Sequence, residues 1–142
     1  MLVREYLQFF ASCYGITGSR RTQVVDDALS LTDLGGKAEA PISGLSRGMS
    51  QRLAVARVLL HDPEVLLLDE PASGLDPRAR VEMRELLRTL RDLGKTILIS
   101  SHILHELAEL CTSVGILERG KLVFAGSVQS CLLYTSPSPR DS

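Results

Sequence analysis

Two short apolar runs constrain this chain more than anything else in it. Val65-Leu66-Leu67-Leu68 ends abruptly in two acids, Asp69 and Glu70, and Thr96-Ile97-Leu98-Ile99 runs into Ser100-Ser101-His102. Continuous apolar runs of this length fit parallel strands buried on both faces. Between them Asp76-Pro77 supplies a cap residue and a proline at the first helical position. Val81, Leu86, Leu87, Leu90 and Leu93 then line one side of a helix that Gly94 closes. Strand, helix and strand in this order predict an α/β core. The parallel strands end on one side, where open sheets of this kind bind ligands.

A helical region precedes that core. Val3, Tyr6, Leu7, Phe10 and Tyr14 recur at helical spacing from Leu2 to Tyr14, and Gly15 stops the pattern. A second helix is predicted from Ser19 to Leu34, with Val24, Val25, Ala28 and Leu29 inward and Gly35-Gly36 at its end. Lys37 to Gly44, with Pro41, is irregular. Ser46 can cap the next helix, which runs through Leu53, Ala56 and Leu60 until His61-Asp62-Pro63 breaks it. Beyond the second strand, a short helix spans Ile103 to Cys111. A strand at Val114–Glu118 then turns at Arg119-Gly120-Lys121 into a hairpin partner, Leu122-Val123-Phe124. The organisation expected is a helical subdomain over residues 1–60 and part of a sheet core over 61–130.

Composition narrows the function classes. With 16 Lys and Arg against 17 Asp and Glu, the chain has no electrostatic footprint for nucleic acid or an anionic bilayer. Aromatics are only 4% and Trp is absent, which disfavours single-strand stacking platforms. No apolar run approaches the ~20 residues of a membrane span, and no secretory signal opens the sequence. Cys13, Cys111 and Cys131 share no metal-ligand spacing and read as reduced thiols. Arg20-Arg21, Arg78, Arg80 and the Arg84/Arg88/Arg91 series beside Glu85 read as solvated helix charges, and His61 and His105 as surface residues.

The end of the chain breaks with the rest. Cys131 to Asp141 reads CLLYTSPSPRD and matches, over eleven codons in frame, the translation of a transposase sequencing adapter. Residues 131–142 are therefore expected to be a disordered, adapter-derived tail, and they are set aside from fold and function.

Four fragments carry the chemistry. Leu45-Ser46-Arg47-Gly48-Met49-Ser50-Gln51-Arg52 places a serine and a glycine at the mouth of a helix, where backbone N–H groups and the helix dipole favour an anion. Alone, such a serine is simply a cap. Leu66-Leu67-Leu68-Asp69-Glu70 puts one acid where it can hold Mg²⁺ through water and a second where it can deprotonate an attacking water. Alone, the pair reads as the start of a solvated loop. Ser73-Gly74-Leu75-Asp76 is a turn and a cap, and Ser100-Ser101-His102 brings a histidine to the same sheet edge as the acids.

Taken together, these fragments resemble the nucleotide-binding domain of ATP-binding cassette (ABC) transporters. LSRGMSQR is similar to the signature LSGGQ-x-QR, LLLDEP to the Walker B strand, SGLD to the D-loop and SSH to the switch-histidine loop. The resemblance covers Leu2 to about Val128. It implies a partial P-loop NTPase fold, α/β, with a helical subdomain followed by an incomplete parallel-sheet core. It also implies ATP and Mg²⁺. Asp69 would hold the metal, Glu70 would be the general base and His102 would contact the γ-phosphate. Ser46, Gly48 and Gln51 would meet a nucleotide seated on a second nucleotide-binding domain, and Asp76 would communicate across that dimer. Arg47 and Met49 depart from the family's glycine and glutamine, in a form similar to ABC-2-type exporters.

No G-x-x-x-x-G-K-[ST] occurs, so the loop that cradles phosphates is absent from these residues, as is a Q-loop. The expectation is a C-terminal fragment, with Met1 an internal methionine of a longer frame. It should fold poorly because its strands lack a neighbour, bind ATP weakly and hydrolyse none alone. Its parent would be the ATPase subunit of an ABC transporter, cytoplasmic and peripheral on the inner membrane face through a transmembrane permease. Two alternatives stand beside it. One is a non-transport ABC ATPase, and the other is a short non-catalytic module that pairs with an intact cassette.

Overall fold

The computed structural model describes residues 1–135. The chain divides into two compact units, Met1–Ser100 and the residues from Ser101 onward. The first unit holds helices α1 (Val3–Cys13), α2 (Gly18–Leu31) and α3 (Arg47–Leu59), strand β1 (Val65–Asp69), helix α4 (Pro77–Asp92) and strand β2 (Thr96–Ser100). The second holds α5 (Leu104–Leu110), β3 (Ser113–Glu118), β4 (Lys121–Ser127) and α6 (Val128–Thr135). The predicted α/β order is therefore present.

The helical segment buries one apolar cluster. Val3, Leu7 and Ala11 of α1 meet Val25, Ala28 and Leu29 of α2 and Leu53 and Ala56 of α3. These positions recur every three or four residues, so each helix turns one stripe inward. Helix α2 stops three residues short of the expected Leu34. The Thr32 hydroxyl donates back to the Ala28 carbonyl (2.7 Å), and Asp33 enters the left-handed region (φ 55°). Leu34 is then free to turn into the core, where it is almost wholly buried. The irregular stretch contains two 3₁₀ turns, Gly35–Lys37 and Ile42–Gly44, and Pro41 bridges to Leu2.

Strands β1 and β2 pair in parallel, with Leu66 opposite Ile97 and Asp69 opposite Ser100. They are not buried on both faces as expected. Leu66 is 2% exposed, whereas Leu67 is 73% and Leu98 66% exposed. Burial alternates because α4 packs on the sheet and, among the described residues, nothing covers the other face. That open face carries Asp69 and Ser100. On α4 the inward stripe is Met83, Leu86, Leu87 and Leu90. Val81 and Leu93, expected inward, are exposed.

The helical segment and the β1–α4–β2 segment share one unit, so the division falls after Ser100 and not near residue 60. Arg52 ties them: its buried guanidinium reaches Glu82 on α4 (3.4 Å) and the Thr32 carbonyl at the end of α2 (3.4 Å).

In the second unit β3 and β4 form an antiparallel hairpin, with Arg119 (φ 51°) and Gly120 (φ 78°) at the turn. Ser127 caps α6 by accepting the Ser130 N–H (3.1 Å), and α6 packs on β3, β4 and α5. Disorder from residue 131 is thus corrected over Cys131–Thr135, which are helical, with Cys131 buried. The rest of the expected tail lies outside the described residues.

Candidate functional site

The acids sit where the sequence placed them. Asp69 ends β1, and register sets it beside Ser100, the last residue of β2. The Ser100 hydroxyl donates to Asp69 Oδ1 (2.5 Å). Its oxygen also accepts the Glu70 N–H (3.0 Å), which in addition reaches the Ser100 carbonyl (3.1 Å). Glu70 itself is held at φ 47°, in the left-handed region where a residue bearing a Cβ pays about 1–2 kcal/mol. Its carbonyl accepts from Ser73 N–H (3.0 Å), so both backbone polar groups of the strained residue are engaged.

From Glu70 the chain makes a second turn, Leu75 N–H to the Ala72 carbonyl (3.4 Å), and enters α4. Asp76 caps that helix, accepting the Ala79 N–H (2.8 Å), and Pro77 follows at the first helical position.

Ser46 caps α3 by accepting the Met49 N–H (3.2 Å). The glycine that follows serves helix packing. A Cβ on Gly48 would lie 2.9 Å from the Ala79 Cβ, so α3 and α4 approach where only glycine fits. Both departures from the signature pattern find places. Met49 packs against the helical core. The Arg47 guanidinium lies across Gly74 (φ 72°), 2.7 Å from where a Cβ would stand. Hence the start of α3 and the Ser73–Asp76 turn adjoin. Gln51 is half-buried further along α3.

The structure therefore brings Asp69 and Glu70 together, and the Ser46–Gly48 helix mouth beside the turn leading to Asp76. His102 opens the second unit and is exposed. There the Ser101 hydroxyl accepts the Ile103 N–H (3.1 Å) and contacts Glu106 (3.3 Å). In the sequence Ser100 figures only within Ser100-Ser101-His102, with no role of its own. Its signal was register: the last residue of one parallel strand faces the last residue of the other.

Mg²⁺ fits this chemistry. Ser100 takes Oδ1 of Asp69 and leaves Oδ2 without a protein partner among the described residues. Mg²⁺ typically takes one or two carboxylates and completes its shell with water and phosphate oxygens. No cluster of three or more His, Cys, Asp or Glu that could cage a metal occurs among the described residues.

Comparison with known proteins bears on the family and the fold. Residues 5–108 match a family model described as "AAA domain, putative AbiEii toxin, Type IV TA system". The chain belongs to the ABC-type ATPase domain family within that AAA grouping. It is 43% identical over 125 residues to the Nod factor export ATP-binding protein I of Burkholderia pseudomallei, covering 88% of this chain and 41% of that protein. It is 36% identical over 141 residues to the ABC transporter ATP-binding protein NatA of Bacillus subtilis, covering 99% of this chain and 56% of that protein. A solved structure of cbiO1 from Clostridium perfringens, part of the ABC transporter complex cbiONQ, superposes with a TM-score of 0.86 at 31% identity. That match covers 93% of this chain and 53% of cbiO1. The α/β architecture is thus that of an ABC-type P-loop NTPase, and the chain spans about half the length of the relatives it matches.

Proposed function

We propose that the chain is part of the ATP-binding subunit of an ABC transporter, in which ATP hydrolysis drives movement of a substrate through a partner permease. The observation that carries this reading is the Asp69–Glu70 pair, fixed by Ser100 at the end of a parallel strand. Relatives named as export and transporter ATP-binding proteins support it. So does cbiO1, described as part of a transporter complex. No helix among the described residues is long and apolar enough to cross a membrane. In the proposed reading, membrane association runs through the permease, at the cytoplasmic face.

In this reading Asp69 holds Mg²⁺, which when bound neutralises charge on the phosphate oxygens. Glu70, its backbone pinned on both sides, accepts a proton from the attacking water. His102 contacts the γ-phosphate. The Ser46 oxygen is spent on the α3 cap, but its hydroxyl hydrogen remains to donate to a phosphate held by a second nucleotide-binding domain. Gln51 adds a polar contact there, and Gly48 lets the helix mouth sit flush on α4. Asp76 reports across that dimer from the turn beside Arg47. The residues present fit the metal and signature sides of an ATP site. The phosphate cradle, G-x-x-x-x-G-K-[ST], is not among them.

The test is phosphate release by the full-length product of the source gene, with and without Glu70→Gln. Loss of a general base lowers turnover by roughly 10²–10⁴-fold, with ATP still bound. Equal turnover in the two proteins would refute the assignment. The 142-residue chain alone should show no turnover near ~1 s⁻¹, the low end for typical enzymes.

A further inference from the structure

We propose that Ser100 is a positioning residue for the acid pair, and that its hydroxyl is required in both its donor and its acceptor capacity. This rests on the reading of Asp69 and Glu70 given above and adds a residue to it.

The geometry is specific. One hydroxyl donates to Asp69 Oδ1 (2.5 Å) and accepts from the Glu70 N–H (3.0 Å). A serine oxygen has one hydrogen and two lone pairs, so it meets both demands at once. Alanine meets neither, and threonine meets both. The donor bond fixes which oxygen of Asp69 stays available, since Oδ1 is taken and Oδ2 has no partner among the described residues. The acceptor bond shares the Glu70 N–H with the Ser100 carbonyl (3.1 Å), and the two together hold Glu70 at φ 47°, a conformation its own side chain disfavours. The parallel register, Asp69 opposite Ser100, delivers the hydroxyl to this point. Ser100 thus carries information from the second strand to the acids on the first. Its place on the open sheet face means that the hydroxyl is not there to satisfy a buried core.

The experiment uses Ser100→Ala and Ser100→Thr in the full-length product of the source gene, read by backbone amide NMR and hydrogen exchange without nucleotide. In Ser100→Ala the Glu70 amide should shift and exchange about fivefold faster, the effect of losing one neutral hydrogen bond. The amides of α1 to α3 should stay unchanged, which excludes general unfolding. Ser100→Thr should restore the wild-type exchange rate. In the full-length parent, Ser100→Ala should lower kcat about tenfold with KM for ATP unchanged, again rescued by threonine. An unmoved Glu70 amide in Ser100→Ala, or failure of threonine to restore it, overturns the proposal. The two readings fail separately. Loss of turnover in Glu70→Gln with no effect of Ser100→Ala removes the role of Ser100 alone. An indifferent Glu70→Gln removes the assignment beneath it.

Discussion

Asp76 has two roles assigned to it, a helix cap seen in the structure and communication across a proposed dimer, and substitution can separate them. Its carboxylate accepts the Ala79 N–H at 2.8 Å, at the head of the 16-residue helix α4. Removing a cap of this kind costs about 1 kcal/mol. Losing an acid at a helix N-terminus costs roughly a further 0.5 kcal/mol. Asp76→Ala loses both, about 1.5 kcal/mol in all. Asparagine caps about as well as aspartate, so Asp76→Asn loses only the charge term, roughly 0.5 kcal/mol. Because α4 buries Met83, Leu86, Leu87 and Leu90, it unfolds with its unit and the cap is read in the global transition. With a urea slope of about 1.5 kcal/mol/M, the midpoint should fall by about 1 M for Asp76→Ala and about 0.3 M for Asp76→Asn. The assay is urea denaturation of the full-length parent followed by circular dichroism. An alanine variant with an unmoved midpoint, or an asparagine variant as damaged as alanine, would refute the capping argument. Since Asp76→Asn leaves the helix almost intact, any loss of turnover in the full-length parent would then belong to the charge.

Three further outcomes follow from the packing. Leu90 is wholly buried, so Leu90→Ala should cost about 2–5 kcal/mol and lower the urea midpoint by more than 1 M. Gly74→Ala should destabilise by about 1 kcal/mol or more, since φ is 72° and the Arg47 guanidinium stands where the methyl would go. Adding Arg47→Gly should recover the steric part only, and full recovery in thermal melts would show the backbone to be unstrained. The Lys95 ammonium donates to the Asp62 carboxylate and holds its pKa below the ordinary 3.8. A carboxyl depressed in the folded state adds stability above that value and loses it as pH falls through the lower one. Acid titration of stability should therefore flatten below pH 4 in Lys95→Met, and an unchanged profile would remove the pair from the account.

Other titration shifts are local. Arg4 bonds to Asp26 and Glu39, both at 2.8 Å, and its pKa is raised by them. Burial raises the Cys111 thiol, which keeps it protonated and unreactive.

Much of this protein was legible in the sequence because the deciding signals were local. Ser46 and Asp76 cap the helices they precede, each accepting the N–H three residues on. Pro77 and Gly94 bracket α4, and the acids follow the first apolar run directly. Helical spacing alone found Val3, Leu7, Val25, Ala28 and Leu29. What escaped depends on neighbours that no local pattern encodes. Two apolar strands turn one face outward because sheet burial is set by what packs on it. Helix α2 ends early because a threonine hydroxyl competes for its last carbonyls. Gly48 looks from sequence like a ligand-facing glycine, yet its missing side chain makes room for Ala79. Arg47 looks like a departure from a pattern, yet it lies on Gly74. Local chemistry along the chain sets the order of elements, the helix boundaries marked by caps, and the two acids. Tertiary structure decided that Ser100 meets them, because parallel register joins residues about thirty positions apart through hydrogen bonds that neither strand forms alone.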